Sequence, residues 1–148
     1  MNISTVRYIY DLNILGPFFA MQQVIPFMKN QGGGIIINIS SGTALMHLPD
    51  MSAYSSSKRA LAGISLAARQ ELKDDAIVVS VVYPYITITD FEKNTIRESP
   101  DDEDGQQDVS GPYPQDSAEY VAHKILEGIT SGETEIFAHD WMRKPRNS

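Results

Sequence analysis

The chain has 148 residues, 42% of them hydrophobic and 21% charged, with no cysteine and a formal net charge of −7. That length and composition suit one compact domain with a sizeable core, and the lack of cysteine excludes disulfides, thiolate catalysis and cysteine metal sites. The acidic balance argues against a nucleic-acid partner, which requires a basic face.

In chain order, residues 4 to 29 place apolar side chains at Ile9, Leu12, Ile14, Leu15, Phe18, Phe19, Met21, Val24, Ile25 and Phe27, dense but roughly helical in period. Pro17 and Pro26 bend this predicted helix or mark its first and last turns. "QGGG" (31 to 34) breaks the chain, and "IIINIS" (35 to 40) is the kind of β-branched run buried on both faces of a parallel sheet. Residues 52 to 73 read as a second long helix, with Ala53, Leu61, Ile64, Leu66, Ala67, Ala68 and Leu72 as apolar surface. "AIVVSVVYP" (76 to 84) is a second buried strand stopped by proline.

A polar stretch spans about 90 to 115, and its acidic run from Glu92 to Asp108 reads as a solvated loop. The third helix starts with Asp116 or Ser117 as N-cap, carries Ala118, Val121, Ala122, Ile125 and Ile129 on one face, and closes at Gly132. "TEIFA" (134 to 138) is a third, shorter strand before a tail over 140 to 148. His47, His123 and His139 lack metal-ligand spacing and are assigned no role. No segment approaches the roughly 18 uncharged apolar residues of a membrane span. The N-terminus has no basic region followed by an apolar one, so no membrane partner and a cytoplasmic location are expected.

The threefold alternation of helix and strand implies an α/β layered fold with parallel strands and right-handed crossovers. Three strands make a small sheet, and the first is too apolar for an open edge, so something is missing beside it.

The chemistry lies in "MSAYSSSKRALAG" (51 to 63) and the serine pair Ser40 and Ser41. Tyr54 and Lys58, four apart, share one helix face. A phenol is a poor acid or base at neutral pH, and a cation within about 4–6 Å lowers its pKa toward the useful range. A hydroxyl at a strand end, such as that of Ser41, can steady a substrate oxygen as charge develops, and the carboxyl ends of open α/β sheets are where ligands bind. Alone, Tyr-x-x-x-Lys is weak, because such a pair on a helix is more often solvated decoration.

"INISSGTALMHLPDMSAYSSSKRALAGISLAARQEL" resembles the catalytic segment of short-chain dehydrogenase/reductases: a strand ending in N-x-S-S, about a dozen residues, then Y-x-x-x-K. Ser41 stands thirteen residues before Tyr54, the family's interval for the catalytic serine, which favours it over Ser40. "DLNILGPFFAM" is similar to the family's N-x-x-G helix, with Asn13 and Gly16, and "VVYPYITITDF" to the segment after its sixth strand. The resemblance runs from about residue 5 to residue 139.

It implies that Tyr54 is the general acid/base, that Lys58 lowers the Tyr54 pKa and bonds the nicotinamide ribose, and that Ser41 orients the substrate oxygen. It further implies that Asn13 holds a water relaying protons from Lys58, and that Pro84, the Ile86 backbone and Thr89 lie at the nicotinamide. The implied function is NAD(P)-dependent interconversion of a small-molecule carbonyl and alcohol. The implied fold is the C-terminal half of a Rossmann-type doubly wound parallel sheet, with three strands and three main helices in one partial domain over 1–148. Residues 90–115 would be the substrate lid, and helices 4–29 and 52–73 the contacts of a homo-oligomer.

Departures from the family pattern are equally specific. No T-G-x-x-x-G-x-G turn follows a strand, since "QGGG" precedes one, and the N-N-A-G segment and the residue that selects NAD or NADP are absent. Tyr85 replaces the glycine usual after the proline, which brings a bulky ring toward the nicotinamide pocket. Two alternatives to an autonomous enzyme follow: a catalytically inactive truncated remnant or oligomerisation module, or part of a longer enzyme whose reading frame begins upstream of Met1.

Overall fold

The structure, a computed structural model, describes residues 2–89 and 114–143. The first predicted helix is a single run in three parts: α1 (Ile3–Tyr10), a π-helical turn (Asp11–Leu15) and α2 (Gly16–Asn30). The Asn2 side chain caps α1 by accepting from the Thr5 amide at 2.9 Å. Pro17 falls in the first turn of α2, directly after the π-turn, and Pro26 lies inside the helix. The turn into the sheet needs glycine at 33, where φ is +138° and a Cβ would stand 2.6 Å from the Ala76 carbonyl oxygen.

β1 (Gly34–Ile39), α3 (Ser52–Glu71), β2 (Ile77–Tyr83), α4 (Ala118–Ser131) and β3 (Glu135–Phe137) follow. The strands form one parallel sheet in the order β1-β2-β3, with Asn38 opposite Val81 and Val82 opposite Ile136. β2 is the centre: Ile77, Val79, Val81, Val82 and Tyr83 are each almost wholly buried. The fold is α/β with a parallel sheet, as expected.

Alternate residues of β2 identify the two layers. Ile77 and Val79 pack with Met21, Ile25 and Met28 of α2 and with Ile64 and Ala68 of α3, while Val81 and Tyr83 pack with Ala62 and Leu66 of α3. The opposite face carries Val82 and, in register with it, Ile136, against which Gly128 of α4 lies so closely that a Cβ would overlap it. Helices therefore cover both faces of the sheet. The Arg69 guanidinium joins the layers, donating to the Val79 carbonyl at 2.9 Å and to the Gly132 carbonyl at 2.8 Å beyond α4.

Ser117 proves to be the cap of α4, accepting from the Tyr120 amide at 3.1 Å, and Gly132 ends the helix in the left-handed conformation. The inward face of α4 differs from the expected one. Tyr120, Val121, Ile125 and Gly128 turn toward the protein, and Ala118, Ala122 and Ile129 toward solvent. A three-residue β3 offers α4 little surface, so close approach at Gly128 sets its rotation rather than the widest apolar stripe. β1 is open on the α4 side, with Ile35 44% and Ile39 39% exposed. The expected lid and the last five residues of the tail lie outside the described residues, apart from the flanks at 114 and 115. Among the described residues no helix is long and apolar enough to cross a membrane.

Candidate active site

Because the strands are parallel, their carboxyl ends share one edge of the sheet, and the sequence-predicted site segments other than that of Asn13 follow from it. Ser40 and Ser41 follow β1, Pro84 follows β2, and α3 starts after the loop that Ser41 opens. Ser40 and Ser41 have different jobs. The Ser40 hydroxyl is buried and donates to the Lys58 carbonyl at 2.8 Å, while the Lys58 ammonium donates to the Ile39 carbonyl at 3.1 Å. Two bonds thus fix the first turns of α3 to the end of β1.

Ser41 caps a short 3-10 turn (Gly42–Leu45), accepting from the Thr43 amide at 3.2 Å and the Thr43 hydroxyl at 3.0 Å. Its hydroxyl also acts on the Tyr54 phenol, working to lower the pKa of that group. The turn is held from two sides. The Gly42 amide donates to the Pro84 carbonyl at 2.7 Å, a fit so close that a Cβ at 42 would stand 2.9 Å from the Met142 methyl. From α3, Arg59 donates to the Ala44 carbonyl at 2.8 Å and the Met46 carbonyl at 3.3 Å.

Tyr54 and Lys58 do share a helix face, the ammonium lying 5.8 Å from the phenol ring centroid. The expected electrostatics differ. Burial raises the Tyr54 pKa above its ordinary value, opposed in part by the bond from Ser41. Burial also lowers the pKa of Lys58. The net direction at Tyr54 is thus upward, opposite to the expected one, with burial the larger cause and the Lys58 ammonium hydrogen-bonded to the Ile39 carbonyl.

Asn13 sits in the π-helical turn, and its side-chain amide donates to the Ser57 hydroxyl at 3.0 Å. Ser57 is fully buried and in turn donates to the Tyr54 carbonyl at 2.7 Å. Asn13 thus meets the α3 turn of the site through Ser57, and a π-turn of this kind often marks a functional position. Pro84 and Ile86 lie beside the 3-10 turn with their carbonyls engaged, by the Gly42 amide and by the Asp116 amide at 2.8 Å. Thr89 is exposed at the end of this segment. Tyr85 turns its ring edge-on to Trp141 at 5.3 Å and to His139 at 6.0 Å, joining an aromatic group at the ends of β2 and β3.

A phenol, a hydroxyl and an ammonium gathered at strand ends suit a carbonyl oxygen and a ribose hydroxyl, so these residues fit the nicotinamide-ribose end of a dinucleotide. The chain has no glycine-rich turn after a strand for the pyrophosphate. Ser57, Arg59, Asp116 and His139 were not singled out as site residues by sequence. The consecutive hydroxyls of "SSSK" hinted at the first, but which one turns inward depends on the π-turn that faces it.

Comparison with known proteins agrees with this architecture. The sequence model of the short chain dehydrogenase family matches residues 1–100. An uncharacterized oxidoreductase of Thermotoga maritima is 34% identical over 93 residues, covering 63% of this chain and 37% of that protein. The 3-ketodihydrosphingosine reductase of Dictyostelium discoideum is 35% identical over 128 residues, covering 85% of this chain and 37% of that protein. Among solved structures, a short chain dehydrogenase from Burkholderia cenocepacia in complex with NADP superposes with a TM-score of 0.77 at 24% identity, over 96% of this chain and 54% of that one. The chain thus spans between about a third and a half of the length of these proteins.

Proposed function

Because the chain belongs to the short-chain dehydrogenase family, we propose that it carries the catalytic half of an NAD(P)-dependent oxidoreductase that interconverts a carbonyl and an alcohol. The observation that carries this reading is the Lys58 ammonium 5.8 Å from the Tyr54 phenol ring, on a helix whose first turns are bonded to the end of β1 beside Ser41. The bound nicotinamide supplies the hydride. The Tyr54 hydroxyl gives its proton to the substrate oxygen as negative charge develops there, and Ser41 is the second donor to that oxygen. Lys58 holds the ribose, Asn13 orders a water for proton relay, and Pro84, Ile86 and Thr89 line the nicotinamide side. The site is assembled in the cytoplasm, in an oligomer joined through the helices over 4–29 and 52–73.

The apolar surface of α1 and α2 favours a second reading, an oligomerisation module without turnover: Phe27 is 73% exposed and Phe19 55%. Titration of the chain with NADH and NADPH, following Trp141, its single tryptophan, separates the two. Saturable binding at micromolar levels with energy transfer to the nicotinamide supports the enzyme reading and leads to a carbonyl-substrate screen. A folded sample that binds neither up to millimolar levels overturns that reading for this chain and leaves the module.

A further inference from the structure

We propose that Asp116 and His139 are positioning residues that hold the nicotinamide-side segment 84–89 in place; this rests on the reading of that segment given above. Asp116 is 8% exposed, and both its carboxylate oxygens lie within reach of His139 Nε2, at 2.9 and 3.0 Å. The imidazole cannot easily swing away. It is stacked on Tyr120, centroids 5.4 Å apart, and on Trp141 at 5.9 Å, and the Tyr120 hydroxyl is itself tied to the Ala138 carbonyl.

The backbone of Asp116 grips the other side. Its amide donates to the Ile86 carbonyl at 2.8 Å and its carbonyl accepts from the Ile88 amide at 2.9 Å, an isolated parallel bridge centred on Thr87. One residue therefore connects the segment after β2 to the segment after β3. The pair serves no other visible end, since Ser117 caps α4 and β3 pairs with β2 without it. Tyr85, from the held segment, completes the contact by packing on both His139 and Trp141.

The test uses the whole chain and two readouts: hydrogen exchange of the Ile88 amide, which reports the bridge directly, and the Kd for NADH. His139→Phe keeps the aromatic stack and removes the hydrogen bond; His139→Gln keeps a donor near the Nε2 position. The expected result is about tenfold faster Ile88 exchange and weaker NADH binding in His139→Phe, the scale of a lost bond to a carboxylate, with His139→Gln close to wild type. Asp116→Ala, which leaves the backbone bridge chemically intact, should match His139→Phe, and it decides the matter if His139→Phe fails to fold. Unchanged Ile88 exchange in the phenylalanine and alanine variants, or a glutamine variant as impaired as the phenylalanine one, overturns the proposal. If wild type binds no NADH, the cofactor reading of the segment falls. The exchange arm then still decides whether the pair holds it.

Discussion

A half-buried Tyr54 whose pKa stands above its ordinary value is protonated at neutral pH, and in the proposed reaction it would enter as an acid. Carbonyl reduction needs that form, whereas alcohol oxidation needs the phenolate. The assembled enzyme should therefore reduce at a rate flat across neutral pH and oxidise at a rate that climbs toward alkaline pH, checked by paired pH profiles in the two directions. Tyr54→Phe should lower turnover by about 10²–10⁴-fold, the usual worth of a positioned general acid, while leaving the NADH Kd within a few-fold. A lost binding signal would instead show that the phenol mainly holds the cofactor. Tyr83 has a separate pH consequence. Its hydroxyl donates to Glu135 at 2.8 Å, and burial, then that bond and the carboxylate charge, push its pKa well up. The folded chain thus holds this proton more tightly than the unfolded chain. That stability is fully present below the unfolded pKa of about 10 and is lost as pH rises beyond it. Denaturation midpoints should fall more steeply above about pH 10 in wild type than in Tyr83→Phe.

Between elements, α4 approaches β3 closely at Gly128. A Cβ on Gly128 would lie 2.0 Å from the Ile136 Cδ1 atom, so Gly128→Ala should cost about 1–3 kcal/mol by overpacking, measured by chemical denaturation. Ile136→Val, which removes that methyl, should recover part of the loss in the double variant. What the sequence could announce at this scale was what depends on near neighbours in the chain. β1 and β2 are β-branched runs between breakers. The Ser41, Tyr54 and Lys58 constellation occupies one continuous stretch, so its spacing is its geometry. What stayed hidden depends on distant partners. Ser57 and Ser65 look like helix-surface residues until Asn13 and Asn38 are brought against them, at 3.0 and 2.8 Å. The π-helical turn carries no signal in apolar period. The rotation of α4 follows from a glycine contact, and His139 gains meaning only beside Asp116.

For the whole molecule, the apolar area left uncovered decides behaviour in solution. Phe19 and Phe27 on α2 and Ile35 and Ile39 on the open side of β1 are exposed, and contiguous apolar surface of this kind favours association. The chain should associate in a concentration-dependent way in sedimentation velocity. Phe19→Ser with Phe27→Ser should shift it toward monomer if the helical face is the contact, and leave it unchanged if the β1 edge is. The parallel sheet also bears on how the chain reaches this state. Each strand meets its neighbour only after roughly forty to fifty intervening residues have been organised, which makes for slow, non-local folding. The stretch from Ser40 to Lys58, by contrast, closes on itself through short-range bonds. During synthesis the chemistry-bearing turn can thus take shape early, while β1 waits with a bare apolar edge, and the interval between those two events is when a chaperone would matter most.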